Sequence, residues 1–292
     1  MKVHLVDGTY ELFRSHFGAP AATSPAGREV GATRGLMRSL LGLLTQPDVT
    51  HVGVAFDHVI ESFRNGLWAG YKTGEGIEPA LWGQFVPLEL ALGAMGVAVW
   101  PMIELEADDA LASAAHAASA DENVQQVCIW TPDKDLAQCV RGNRVVQVLR
   151  KANAILDAAG VRKKYGVDPE RIPDFLALVG DAADGYPGIT GIGRVGAARL
   201  INEHGALEDF PPAVLGENRD LALLFKDLAT LRTDAPLFAN VEELRWRGPT
   251  DAFASVAAQI GDRLKILPIA FFAFIKPFLQ RPMAEQTDNN SN

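Results

Sequence analysis

Val127-Cys128-Ile129-Trp130-Thr131-Pro132-Asp133-Lys134-Asp135 sets an apolar run directly before two acids. A short apolar run of this kind, closed by a proline-containing polar stretch, reads as a strand buried on both faces, as in parallel sheets. The same order recurs upstream, where Val3 to Val6 runs into Asp7 and Val52 to Phe56 runs into Asp57. Val97 to Trp100 reads as a further strand, while Val30–Leu44, Pro79–Met95 and Ala107–Ala118 carry helical spacing. Strand and helix patterns therefore alternate up to about residue 150, which implies a doubly wound α/β core.

Acids that follow parallel strands converge on one crevice at the carboxyl edge of the sheet, where such folds place ligands. Nine acids fall in five clusters: Asp7; Asp57; Glu106, Asp108 and Asp109; Asp133 and Asp135; Asp181 and Asp184. So many carboxylates cannot stay ionised together without compensation, because like charges raise one another's pKa. Hard divalent cations with oxygen ligands supply it, and Mg²⁺ or Mn²⁺ is the natural choice. Singly, each acid has an ordinary reading. Asp133 could cap a helix over Lys134 to Val140, and Asp108 could sit in the first turn of the helix that runs through Ala118. Five independent caps, all in the right places on an alternating chain, are the poorer explanation.

Net charge is −9, but 36 acids less these nine leaves 27 against 27 lysines and arginines, so the rest of the chain is neutral. Distribution matters more than the total. From Arg141 to Lys164 seven basic residues (Arg141, Arg144, Arg150, Lys151, Arg162, Lys163 and Lys164) face one acid, Asp157. That asymmetry fits a phosphate-facing surface or merely solvated helix and loop faces. The first apolar run is short and followed by an acid, so no export leader is expected, and no stretch is long and apolar enough to span a membrane. Cys128 and Cys139, in a core strand and a helix, read as reduced thiols rather than a zinc cluster. A cytoplasmic, nucleoid-associated monomer is expected.

From about 157 to 210 the pattern is helical with tight glycine turns, and Asn218–Leu231 and Asp251–Leu264 read as further helices around a short extended run, Val241–Trp246. Ile266 to Phe278 reads as a packed C-terminal element, and the last residues as disordered. Between Asp57 and Pro79 the pattern lapses into a glycine-containing stretch, expected to be mobile over the crevice. The run Pro187-Gly188-Ile189-Thr190-Gly191-Ile192-Gly193 lies between two helical stretches. Glycines at 188, 191 and 193 permit positive φ and close approach of backbone amides to a ligand, and the N-terminus of the second helix suits a DNA phosphate. A plain helix–turn–helix link is the alternative.

Taken together, the motifs resemble the 5′→3′ exonuclease and flap endonuclease family. The matching pieces are LVDG at 5–8, FD at 56–57, GYK at 70–72, EADD at 106–109, TPDKDLAQ at 131–138, KYGV at 164–167, DFLALVGDAAD at 174–184 and PGITGIG at 187–193. The resemblance covers roughly residues 1 to 247. It implies a PIN-like parallel-sheet nuclease core with a helical arch over 1–160, an all-α module with a helix–three-turn–helix DNA-binding motif over 161–280, and a tail at 281–292. It implies two divalent ions: Asp7, Asp57, Glu106 and Asp108 match one site, and Asp109, Asp133, Asp135, Asp181 and Asp184 the other, with Asp108 as the bridge. Two cations about 3.5–4 Å apart then clamp the scissile phosphate, one generating hydroxide and the other stabilising the leaving oxygen. Lys72 matches an arch lysine that offers a point charge to the phosphate, which with Asp108, Asp133 and Asp181 makes the catalytic set. Tyr71 is expected to stack on a base and Arg14 to contact phosphate. The hairpin glycines and Arg194 are expected to hold duplex DNA, with K⁺ at the turn.

Implied partners are 5′-flap, nicked or gapped duplex and RNA-primed DNA. The chain departs from the family at Glu75, where an arginine is common, and at Gly185, where asparagine often follows the second acid. Arg194 stands beside the hairpin position that usually holds lysine. No polymerase domain follows, so a free-standing nuclease is expected. Two rivals stay open: a member that binds branched DNA without cutting, and a PIN-type ribonuclease, which would not need the glycine hairpin.

Overall fold

The computed structural model describes residues 1–261, so the packed element read at Ile266–Phe278 and the tail lie outside the described residues. One six-stranded sheet organises the N-terminal part. In chain order its strands are β1 (Lys2–Asp7), β2 (His51–Asp57), β3 (Ala98–Met102), β4 (Gln126–Trp130), β5 (Val145–Leu149) and β6 (Ala154–Leu156). They lie side by side as β3-β2-β1-β4-β5-β6, all parallel except the β5–β6 pair. The chain winds outward from β1 to β3, then crosses back to place β4 on the other side of β1. This reversal is the switch point of a doubly wound sheet, and it opens a crevice beyond the carboxyl ends of β1 and β4.

Side chains alternate across the strands and so feed two cores. Val6, Val52, Val54 and Phe56 face a cluster with α2 (Gly31–Leu44) and α5 (Phe85–Ala94). Val3, Leu5, Ala55, Val127 and Ile129 face α6 (Ala107–Ala120), whose alanines let it lie close across the sheet. A third core belongs to the helical part, built from α7 (Ala158–Tyr165), α8 (Ile172–Val179), α9 (Arg194–His204) and α11 (Arg219–Ala229), with the short α10 (Pro212–Leu215) beside them. Phe175, Phe225 and Tyr186 are its largest fully buried side chains. Among the described residues no helix is long and apolar enough to cross a membrane.

Local differences from the sequence reading have physical causes. The helix α1 (Gly8–Gly18), unread in the sequence, starts where β1 stops, because the Asp7 side chain caps it by accepting from Tyr10 N at 2.8 Å. The stretch read as one helix over Pro79–Met95 is two, α4 (Pro79–Trp82) and α5, since Pro87 has no N–H to donate to the Gly83 carbonyl and its ring crowds that oxygen; Gln84, at the break, is buried and accepts from Thr33 at 3.0 and 3.1 Å. Val241–Trp246 is extended only at its end, where Arg245 bridges His51 antiparallel and Trp246 N donates to Thr50 O at 2.8 Å. Asn240 and Glu243 cap one another and close a 3-10 turn over Val241–Leu244. The last helix, α12, runs over Phe253–Ile260. The expected arch takes the form of two single-turn helices, α3 (Arg64–Leu67) and α4. The segment is tied down by Lys72 N donating to Asp184 O at 3.0 Å and Trp68 Nε1 donating to Gly185 O at 3.0 Å.

Candidate metal centre

The acids reach the crevice from five elements. Asp7 and Asp57 end β1 and β2, Glu106 and Asp108 stand at the start of α6, and Asp133 and Asp135 follow β4. Asp181 and Asp184 lie on the turn after α8, which closes on itself through paired Asp181–Tyr186 backbone bonds of 2.8 and 3.0 Å. Register explains the convergence. β1 pairs with β2 and β4 in parallel, so Asp7, Asp57 and the Thr131–Asp135 loop leave the sheet at one edge.

Two groups have the spacing that an ion needs. Asp108, Asp133 and Asp135 each offer an oxygen within 4.8 Å of the others, and so do Asp135, Asp181 and Asp184. Asp135 belongs to both groups and Asp108 to the first. Asp135 Oδ1 is buried and has no hydrogen-bond partner. A buried carboxylate with an unpartnered oxygen, in a residue that belongs to two close groups of acids, fits a hard cation. Burial first, and Asp133 second, push Asp108 and Asp135 well above the usual aspartate range. Asp7 is raised to about 7 by burial, with Asp57 and Asp133 adding repulsion against the bonds from Tyr10 and Thr131. Burial also raises Asp57 and Asp184.

Three internal cations hold part of this charge. Lys72 Nζ sits 2.6 Å from Glu106 Oε2 and 3.1 Å from Asp184 Oδ1. Burial would lower its pKa, but these two acids outweigh that and hold it well above the ordinary lysine value. Lys134 Nζ lies 2.5 Å from Asp181 Oδ2. Arg64, only 1% exposed, bonds Glu106 Oε1 at 2.8 Å and grips both oxygens of Asp109 at 2.7 and 2.8 Å. Neither Arg64 nor Lys134 was singled out in the sequence. Lys134 stands between two acids in TPDKD, a visible signal. Arg64 had none, because its partners are remote in the chain.

Several expected residues fall elsewhere. Asp109 is withdrawn from the ion groups: Arg64 takes both its oxygens, and it also accepts from Glu106 N at 3.0 Å and Arg232 N at 2.9 Å. Asp7, Asp57 and Glu106 line the crevice but do not join Asp108 in one close group. Their oxygens are engaged by Tyr10 and Thr131, by Ala107, and by Arg64, Lys72 and Ser62 respectively. Tyr71 cannot stack on a base in this arrangement, because it is buried in the helical core and its hydroxyl lies 3.4 Å from Glu106 Oε2. Arg14 is partly exposed and pairs with Glu11 at 2.5 Å.

The hairpin joins α8 to α9 as read, with Ile189 N donating to Leu178 O at 2.8 Å. Gly188 and Gly191 take φ of +71° and +86°, whereas Gly193 is extended at −90° and serves as the N-cap of α9. Gly188 is required by crowding, since a Cβ would come within 2.3 Å of Gly180 N. Gly191 instead borders open space, with no atom within 4 Å of where a Cβ would stand. Arg194 opens α9, lies 5.3 Å over Phe175, and reaches the Lys164 carbonyl at 3.5 Å. Gly185 also has a steric reason: at φ +84°, a Cβ there would meet Gly70 O at 2.0 Å.

Residues 2–166 match the family described as 5′-3′ exonuclease, N-terminal resolvase-like domain, and residues 167–252 match 5′-3′ exonuclease, C-terminal SAM fold. The chain is 32% identical over 263 residues to the 5′-3′ exonuclease of Aquifex aeolicus, covering 85% of this chain and 87% of that protein. It is 35% identical over 259 residues to DNA polymerase I of Pseudomonas aeruginosa, covering 82% of this chain but 28% of the polymerase. Among solved structures, T5 5′-exonuclease with zinc bound is similar with a TM-score of 0.66 at 16% identity, covering 96% of this chain and 100% of that one. The catalytic core of Rad2 in complex with a DNA substrate gives 0.57 at 17%, covering 95% and 92%. At such identities the likeness to these two is one of fold.

Proposed function

The chain belongs to the 5′-3′ exonuclease family, and from that footing we propose that it hydrolyses phosphodiester bonds in 5′-flap and 5′-ended duplex DNA, RNA-primed DNA included. The observation that carries this reading is Asp135, which belongs to both close groups of acids and keeps one buried oxygen without a hydrogen-bond partner. When bound, two divalent cations, Mg²⁺ or Mn²⁺, neutralise the phosphate and acidify the attacking water. Asp108, Asp133 and Asp135 would hold one ion, and Asp135, Asp181 and Asp184 the other. Asp7, Asp57 and Glu106 would line the crevice beside these groups, each fixed by its own hydrogen bonds. Lys72, whose proton Glu106 and Asp184 hold at Nζ, would offer that charge to the phosphate. The catalytic core runs to about residue 160 and the helical module from there, and the protein works as a monomer at the nucleoid.

The test is labelled 5′-flap, nicked, single-stranded and RNA-primed DNA, incubated with Mg²⁺, with Mn²⁺, or with excess EDTA. Cleavage of the flap and nicked substrates is expected with metal alone. Robust cleavage in EDTA would overturn the reading. Tight flap binding with no cleavage in either metal would favour a branched-DNA binder, and a preference for RNA without a duplex would favour a ribonuclease.

The hairpin is assigned to duplex affinity, with K⁺ in the space beside Gly191, where a Cβ would intrude. Gly191→Val strains a backbone at φ +86° and fills that space. Duplex binding measured in EDTA, where no turnover is expected, should weaken by about tenfold or more, equivalent to ~1.4 kcal/mol. An unchanged dissociation constant would leave the hairpin as a structural link.

A further inference from the structure

Beside the acid crevice lies a second cavity of about 730 Å³, within the size range of small-molecule sites. The two share a wall. Thr131 lines the cavity and donates its Oγ1 proton to Asp7 Oδ2 at 2.9 Å, while Tyr10 lines it and donates its N–H to Asp7 Oδ1 at 2.8 Å. Trp130, Val148 and Leu149 give the cavity apolar walls, and the Trp130 ring is anchored by its Nε1 donating to His4 Nδ1 at 3.0 Å.

The charges around this cavity run against the character of the chain. In a protein of net charge −9, Arg14, Arg150, Lys151 and Lys164 line it together. One acid, Glu11, stands among them, 2.5 Å from Arg14 and 3.9 Å from Arg150. The Arg150 guanidinium also lies 5.3 Å over the Trp130 ring and bonds Ser39. One carboxylate offsets only part of the repulsion among four cations, so an anion is the natural complement. A flat apolar wall beside clustered cations matches one chemical unit, a base linked to a phosphate.

We propose that this cavity binds a single nucleotide, with its base against Trp130 and Leu149 and its phosphate at Arg150, Lys151, Arg14 and Lys164. The inference rests on the proposed nuclease activity only for the supply of the ligand. A nucleoside 5′-monophosphate could be the free product of hydrolysis or the phosphorylated end of a strand leaving the crevice. Hydrolysis next door would deliver either.

Calorimetry in EDTA, with no cleavage possible, separates these cases. The titrants are dAMP, deoxyadenosine, inorganic phosphate and a short 5′-phosphorylated single strand. The proteins are wild type and the double variant Arg150→Ala/Lys151→Ala, whose sites are exposed, so the fold should persist. dAMP is expected to bind the wild type about tenfold more tightly than deoxyadenosine or phosphate alone, and the double variant is expected to lose about tenfold. Tighter binding of the strand than of dAMP, lost in the same variant, identifies a strand end; equal or weaker binding identifies the free nucleotide. No dAMP binding, or equal affinity in the double variant with unchanged circular dichroism, overturns the proposal. Wild-type flap cleavage with Mg²⁺ is measured separately: if it fails while dAMP still binds, the nuclease reading falls and the cavity stands.

Discussion

Asp135→Asn should reduce cleavage of 5′-flap DNA in Mg²⁺ by at least about 10²-fold, the loss already seen for groups one step further from a metal. Asp135 is the only acid common to the two close groups among the described residues, so its loss strips an oxygen from each. The same substitution should stabilise the metal-free protein at neutral pH, because it removes one of the crowded anions. The sign follows from the shifts. Asp7 is raised from 3.8 to about 7, and burial lifts Asp108, Asp135 and Asp184 in the same direction. Between the ordinary aspartate value and about pH 7 the folded protein therefore holds protons that the unfolded chain has lost, and its stability falls as pH rises. In EDTA the wild-type melting temperature should drop from pH 4 towards pH 8, while the variant drops less and Mg²⁺ lifts the wild type most at high pH. Flap cleavage within tenfold of wild type would remove Asp135 from the site, and a flat wild-type melting profile would contradict the upward shifts that burial, and then repulsion, impose on these acids.

Arg64→Ala should cost about 3–5 kcal/mol of stability, the scale set by leaving buried charge uncompensated. Two acids depend on this guanidinium, Glu106 and Asp109, and both are at most 3% exposed. Arg64 also donates to the carbonyls of Leu228 and Thr230 at 2.8 and 3.2 Å, so it fastens the end of α11 to the start of α6. Arg64→Lys should recover little, since an ammonium cannot reproduce a fork that bonds both oxygens of Asp109 and two carbonyls together. Equilibrium denaturation in EDTA measures both variants. A loss below about 1 kcal/mol for Arg64→Ala would place the pair among ordinary surface ion pairs, contrary to its burial.

Much of this was legible in the chain alone. Apolar runs ending in acids identified β1, β2 and β4 and the edge of the sheet where ligands gather, because a strand buried on both faces leaves an unmistakable hydrophobic run. The helix–hairpin–helix was equally plain, since Gly188 and Gly191 take conformations that other residues resist. Less was visible where the signal is short or distant. β5 and β6 were hidden inside a stretch read for its basic residues, and a strand of only three residues, such as β6, has no periodicity to find.

The sequence by itself determined the fold class, the acidic crevice and the family, because these rest on local patterns and on residue types that chemistry allows few substitutes for. Only the tertiary structure decided which acids the chain's own cations occupy. Asp109 and Asp135 are both aspartates inside recognised motifs, yet Arg64 claims the first and leaves the second with a bare buried oxygen. Tyr71, read as a base-stacking residue, is instead part of the core, and Lys72 rests among the acids rather than above them. The reason is physical. A carboxylate's role depends on whether a cation of the chain reaches it first, and those cations arrive from segments tens of residues away, by contacts that no local pattern encodes.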